Sequence, residues 1–391
     1  MGQSVINGDG QYEVFVSNNQ PTAYVVISDL KITAFFNIAI NTQSTNLEVR
    51  RVEIDGAGSD SNGGALGGIL SSSTGGETVS QILQDVYIHD LTDASATVIG
   101  AGGMADDNST LNVVSKNTTV ARLHNSQSGA EGYFLATGIF TNLSPGTVTV
   151  NIENLTIDTI VADSDAALGI AAISGVDGGG SSITGSVSNA TIRHTSGGPN
   201  QAAIRASAIG LAAGGVQASD SSTVQLTLKN VVVDTTVNSN NVGCSAYILS
   251  TSLGGDGSSS AAATLTSQGG NLSSDTTCTP YFTQPTDQNN VGNLASTLGT
   301  LSNNGGYVPT IPLLQGSPAI DSGVTVAGLT TDARLATRPQ GTAFDSGAYE
   351  SPYSKTTASL AGTGENTGFY LFTALTILFL SSASLICKTK S

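Results

Sequence analysis

Apolar and polar residues alternate in short runs along most of this chain, and the alternation slips by one residue at a recurring point. In Val148-Thr-Val-Asn-Ile-Glu-Asn-Leu-Thr-Ile157, residues Val148, Val150 and Ile152 keep the two-residue period of a half-buried strand. Leu155 and Ile157 resume that period one residue out of phase, with Asn154 at the slip. Asn tolerates left-handed backbone angles better than other non-glycine residues. The pattern predicts strand, one-residue corner, strand.

The same pattern recurs. With the corner as zero, apolar residues fall at −4, −2, +1 and +3. Val25, Ile27, Leu30 and Ile32 surround Asp29, and Leu47, Val49, Val52 and Ile54 surround Arg51. Leu83, Val86 and Ile88 surround Asp85, with Gln81 out of pattern; Val113 and Val120 surround Asn117, where Ser115 and Thr118 weaken it. Asn189 has Val187, Ala190 and Ile192; Asn230 has Leu226, Leu228, Val231 and Val233; a faded copy is expected around Asn271. Successive corners from Asp29 to Asn230 lie 22, 34, 32, 37, 35 and 41 residues apart. Between corners runs a second signature of small apolar residues, such as Ala65–Leu70, Tyr133–Ala136, Ala166–Ile170 and Ala202–Ile209, each followed by a Gly/Ser/Asp-rich turn.

One bent strand pair cannot bury its apolar side alone, but stacked copies can, each climbing roughly 4.8 Å and hydrogen-bonding to the coil below. The expected fold is all-β: a parallel β-helix of about eight coils over residues 1–280, right-handed because parallel crossovers nearly always are. A β-sandwich array is the alternative, but hairpins with two-residue Asn-Gly or Asp-Gly turns are scarce. Corner residues are read as outward or left-handed turn residues whose stacked Asn side chains ladder. Pro becomes frequent after residue 280, and 281–352 reads as an irregular cap wrapped against the last coil.

Composition narrows the function. Of 391 residues only 13 are Lys or Arg, and net charge is −16, which argues against nucleic acid and anionic membrane surfaces as partners. Three Cys exclude a disulfide-dense scaffold. Cys244 and Cys278, 34 residues apart, are a candidate disulfide because stacked residues of adjacent coils lie within bonding range. They sit at different offsets from their corners, +14 from Asn230 and +7 from Asn271, so the pairing stays open. The chain begins on coil-like sequence, with no basic or apolar leader and no amphipathic cover, and an N-terminal truncation is expected. Residues 353–364 read as a polar linker and motif. Residues 365–391 hold an apolar stretch, Phe369–Cys387, followed by Lys388 and Lys390, just long enough for a transmembrane helix.

Two stretches carry resemblances. Asn303-Asn-Gly-Gly through Gly323, then Thr331-Asp-Ala-Arg334, Arg338-Pro339 and Asp345-Ser-Gly-Ala-Tyr-Glu350, resemble the choice-of-anchor Q domain. That resemblance implies a domain closing a bacterial surface β-helix just upstream of its anchor; it departs at Ala333-Arg334-Leu335, where Arg-Gly usually follows the Thr-Asp. The residues themselves suggest structural ion pairs of Asp321, Asp332, Asp345 and Glu350 with Arg334 and Arg338. Leu360-Ala361-Gly362-Thr363-Gly364, with the apolar stretch and Lys tail behind it, resembles a sortase cell-wall sorting signal, Ala361 standing where most such signals have Pro. The resemblance implies that a sortase cysteine attacks the Thr363 carbonyl and a wall amine resolves the acyl-enzyme, while the basic tail stays cytoplasmic. Cys387 would leave with the discarded tail.

Other chemistry is sparse. His89, His124 and His194 lie in different repeats and read as solvated singles, His89 pointing outward at +4. Asp163, Asp165 and Asp158, or Asp106 and Asp107, offer the oxygen ligands calcium takes; no other cofactor is suggested. Parallel β-helices also carry polysaccharide lyases and glycoside hydrolases. Here the Asp residues read as scattered, with almost no Lys or Arg beside them, and Tyr87, Tyr133, Phe134 and Tyr247 sit in apolar runs. The expectation is an extracellular protein, membrane-spanning before sorting and then linked by sortase to peptidoglycan. It would act as an adhesin or display stalk toward an unidentified glycan or protein. A carbohydrate-active enzyme is the alternative.

Overall fold

Seven corner residues share one backbone conformation: Asp29, Arg51, Asp85, Asn117, Asn154, Asn189 and Asn230 all have φ between 51° and 59°. They also stack. Ser28 pairs with Arg50 and Leu30 with Val52; Glu153 pairs with Ser188 and Thr156 with Thr191. The computed structural model describes residues 4–61, 65–94, 96–137, 144–174, 180–197, 202–212, 222–235, 242–252 and 261–355. The sorting motif Leu360–Gly364, the apolar stretch Phe369–Cys387 and the Lys tail lie outside them. No described helix is long and apolar enough to cross a membrane.

Nineteen described strands join into one hydrogen-bonded sheet whose ladders run parallel throughout, so each copy rests on its predecessor. The architecture is an all-β, solenoid-like parallel β-helix. The hairpins a sandwich needs do not occur among these ladders. Thr147–Ala162 shows how one coil is built. Val148, Ile152, Leu155 and Ile157 are fully buried on both sides of the corner, and Thr147, Thr149 and Asn151 face out. The slip at Asn154 keeps apolar side chains inward after the chain turns. Each such side chain contributes about 1.5–3 kcal/mol by burial.

The small-residue strands form the opposite wall and hold a second corner that the alternation did not mark. Gly68, Gly100, Gly132, Gly169 and Ala203 occupy one column, inferred from the pairs on either side of them. Across the interior stand Ile88, Val120, Ile157 and Ile192. A Cβ on Gly132 would lie 2.7 Å from the Gly169 carbonyl oxygen and 3.1 Å from Ile157 Cδ1. The two walls interdigitate because four of the five positions in this column carry no side chain and the fifth, Ala203, carries only a methyl group.

The last corner differs from expectation. Register places the glycine pair Gly269–Gly270 opposite Asn230, both with positive φ, one residue before Asn271. Asn271 turns inward instead and accepts from Val231 N at 2.9 Å. Glycine adopts that backbone at no steric cost, so the corner moved to it.

The C-terminal segment also takes a different path. Its beginning covers the last coil, where Gly243 N donates to Thr277 Oγ1 at 2.7 Å and Ala246 N to Tyr281 Oη at 2.9 Å, and Ser346 Oγ returns to the Gly270 carbonyl at 2.6 Å. Residues 299–348 then run back along the side of the solenoid. They bond to Asn230, Thr191, Arg193, Asn154 and Thr119. Tyr307 reaches Arg51, whose Cζ lies 5.8 Å from the ring. Cap and coils belong to one compact unit, Met1–Lys355.

Candidate functional site

Positions +2 and +4 after each corner face outward and stack into two columns. From Tyr87 onward the C-terminal segment lies against the +2 column: Tyr87 packs on Val308, Ala333 and Ala348, Thr119 Oγ1 donates to the Pro309 carbonyl at 2.8 Å, and Thr191 Oγ1 accepts from Ala348 N at 3.0 Å. Before Thr119 lies a charged window. Lys31 pairs in register with Glu53, and Glu53 with Tyr87; Asp55 pairs with His89, and His89 with Ala121. The next bend adds Asp90 and Arg122, both with positive φ.

These groups are tightly coupled. Lys31 Nζ lies 2.8 Å from both Glu53 Oε1 and Asp55 Oδ2. Arg122 donates to both Asp90 oxygens, at 2.6 and 2.8 Å. His89 has Nδ1 2.6 Å from Asp90 Oδ2 and Nε2 3.2 Å from Glu53 Oε1, and its ring stacks on Tyr87 with centroids 4.1 Å apart. Arg122 holds the Asp90 carboxyl down at about 2, with His89 assisting against burial. Burial pulls Lys31 down, but its bonds to Asp55 and Glu53 outweigh that and raise it. Among the described residues, Glu53, Asp55 and His89 form the one group of three possible metal ligands, their ligand atoms within 4.8 Å of one another. The Lys31 ammonium already supplies a cation to both carboxylates there.

Two sequence expectations change here. His89 is buried rather than solvated, its side chain 7% exposed. It does point outward, but into Tyr87, Glu53, Asp90 and Arg122. The carboxylates, expected to be scattered without cations, converge with Lys31 and Arg122. Neither was visible along the chain, because the partners come from different coils. Reading offsets +2, +4 and +5 from copy to copy would have assembled them.

The remaining candidates serve structure. Arg334 pairs with Asp332 at 2.6 Å and Arg338 with Glu350 at 2.7 Å. Asp345 instead accepts from the backbone N–H groups of Asp321 and Ser351, and Asp321 from those of Thr342, Ala343 and Lys355. These carboxylates satisfy loop amides that no ladder reaches. Burial, with Glu350 nearby, pushes Asp345 up to about 7. Cys244 and Cys278 are disulfide-bonded, Cα atoms 4.8 Å apart. Their offsets differ because Cys278 lies past the last corner, where the chain folds under Cys244.

Asp158 is bound to Arg193 at 2.9 Å and Asp163 lies 3.2 Å from His124, which is half-exposed. Asp165 accepts from Ala166 N, Asp106 is buried and Asp107 exposed. Tyr133 is fully buried and Phe134 half-buried; the side chains of His194 and Tyr247 lie outside the described set. The chain matches no protein-family model, no curated protein and no solved structure in the comparisons made.

Proposed function

We propose that this chain is an extracellular stalk or adhesin, a right-handed β-helix of about eight coils joined by a sortase to cell-wall peptidoglycan. One observation carries the reading: Leu360-Ala-Gly-Thr-Gly364, the apolar stretch Phe369–Cys387 and the basic tail Lys388 and Lys390 stand in the order that a sorting signal requires. The Cys244–Cys278 disulfide supports an oxidising, exported location. The likeness of residues 303–350 to a choice-of-anchor Q domain supports attachment beyond it. The apolar stretch spans the membrane before sorting, and Thr363 is the residue joined to the wall. The test is cell fractionation. A Thr363→Ala chain is expected to leave the wall fraction and accumulate in the membrane, and wall linkage that survives this change contradicts the proposal.

The charged window favours a second reading, a carbohydrate-active enzyme on the same scaffold. Glu53 and Asp55 beside Lys31, His89 and Arg122 supply carboxylates with cations, as uronate chemistry requires. Release of product from a uronate polymer, lost in Glu53→Gln with the fold retained, would establish it. No turnover on any uronate or neutral glycan would remove it.

A further inference from the structure

The wall before the corner presents outward columns at −7, −5 and −3 that neither the charged window nor the C-terminal segment uses. The first column is Thr78, Thr110, Thr147, Ser182 and Thr223, each paired in register with the next. The second is Ser80, Asn112, Thr149, Thr184, Gln225 and Thr264. In the third, Asn151, Ser186, Thr227 and Thr266 follow Ile82 and Val114. None of these side chains is charged, although Glu48 precedes Ile82 in the third column and the neighbouring −1 column holds Lys116, Glu153 and Lys229. The inward residues between the columns, such as Val79, Leu111 and Val148, are at most 1% exposed, so the face is anchored on a packed core.

The array is periodic in two directions. Coils repeat at roughly 4.8 Å, and alternate residues along a strand at roughly 6.7 Å, so the first column spans about 19 Å. Among the described residues the hydroxyls of Thr78, Thr110, Thr184 and Thr223 make no hydrogen bond, and none of these four residues is fully buried. Other rungs are braced: Thr149 Oγ1 donates to Asn112 Oδ1 at 2.6 Å. Thr is stiff at χ1, so little side-chain freedom remains to be lost on contact.

We propose that this face binds ice, the neutral columns matching rows of oxygens on its surface. Ice carries no charge, which suits a patch without Lys, Arg, Asp or Glu in a chain of net charge −16. Its prism faces carry rows of oxygens whose shorter repeat is close to the coil spacing of the array. Threonine offers a hydroxyl to hydrogen-bond and a methyl to displace loose water. A sugar surface calls for flat aromatic platforms, and from Ser80 onward none stands in these columns. Tyr24, at the N-terminal end of the second, is tied to Glu48 at 2.6 Å.

The test is partition of the purified full chain into slowly growing ice, beside inhibition of ice recrystallisation. The wild-type chain and a Thr92→Tyr control, altered at an exposed site elsewhere, are expected to enrich in the ice. Thr147→Tyr, which raises a ring above the array, is expected to lower enrichment about tenfold, or ~1.4 kcal/mol. Thr184→Lys supplies the same test if Thr147→Tyr does not keep the wild-type circular dichroism and melting temperature. Exclusion of the wild-type chain from ice overturns the proposal, as does equal enrichment of a folded array variant. Thr147-dependent binding to crystalline cellulose or chitin, without ice enrichment, would reassign the face to a polysaccharide. Sorting to the wall is read separately, so failure here leaves it untouched.

Discussion

At the scale of single residues, the corner asparagines combine a backbone role with a side-chain role. Asn117 Nδ2 donates to Asp85 Oδ1 at 2.8 Å, and Asn154 Nδ2 to Asn117 Oδ1 at 2.9 Å. The ladder breaks once: Asn154 Oδ1 and Asn189 Nδ2 are buried without partners. It resumes where Asn230 Nδ2 donates to Asn189 Oδ1 at 3.2 Å. Glycine keeps the left-handed backbone and removes only the side chain. Asn117→Gly is therefore expected to cost about 2 kcal/mol and Asn189→Gly about 1 or less, measured by urea unfolding. The reverse ranking would mean that the ladder does not act as described.

Glu131 provides a pH-dependent test at the same scale. Burial, with Asp165 adding repulsion against the help of Arg205, pushes its carboxyl from an ordinary 4.5 up to about 8. Its Oε2 has no hydrogen-bond partner. Between these two values the folded chain binds more protons at this group than the unfolded one. Its contribution therefore falls as pH rises from about 4.5 to 8. Glu131→Gln is expected to flatten that decline and to raise stability at pH 8 relative to wild type. Asp90 has the opposite sign: its carboxyl, held at about 2 by Arg122, supports stability above its ordinary 3.8 and loses that support as pH falls toward 2. Melting temperatures of Glu131→Gln across pH 4–9 that parallel the wild type would contradict the assignment.

Between single residues and the whole molecule, the elements divide into those that the pattern of residues reveals and those it hides. The first corner is legible because an inward alternation that slips by one residue leaves a mark in polarity. The glycine column leaves none: Gly132 stands between Glu131 and Tyr133 and Gly169 between Leu168 and Ile170, so no polarity pattern common to the copies marks the slip. The close approach of Ile157 and Ile192 makes those positions selective. Gly132→Val should cost at least about 3 kcal/mol, seen as loss of cooperative melting, whereas Thr149→Val on the outer face should change stability little. The charged window was hidden because Lys31, Glu53, His89 and Arg122 come from four coils. The lateral path of residues 299–348 was hidden because an irregular segment has no period to read. The disulfide closes 34 residues, and Cys244→Ser is expected to lower stability by about 3–4 kcal/mol on the loop-entropy estimate. A change below 1 kcal/mol would contradict that expectation.

For the whole molecule, the lateral segment makes coils and C-terminal residues a single structure. Gly347 N donates to the Asn230 carbonyl at 2.8 Å and Val324 N to Asn230 Oδ1 at 2.7 Å. Their amides are expected to exchange with solvent as slowly as those of the neighbouring strands. Exchange within the experimental dead time would detach the segment from the coils. The stacked repeat, closed along one side, suits the stalk proposed above. That role depends on the C-terminal chemistry. The most direct measurement is mass spectrometry of cell-wall fragments released from the producing cell. The account predicts a mature chain ending at Thr363 and linked through its carbonyl to a wall amine. A mature chain that retains Lys390 would contradict it.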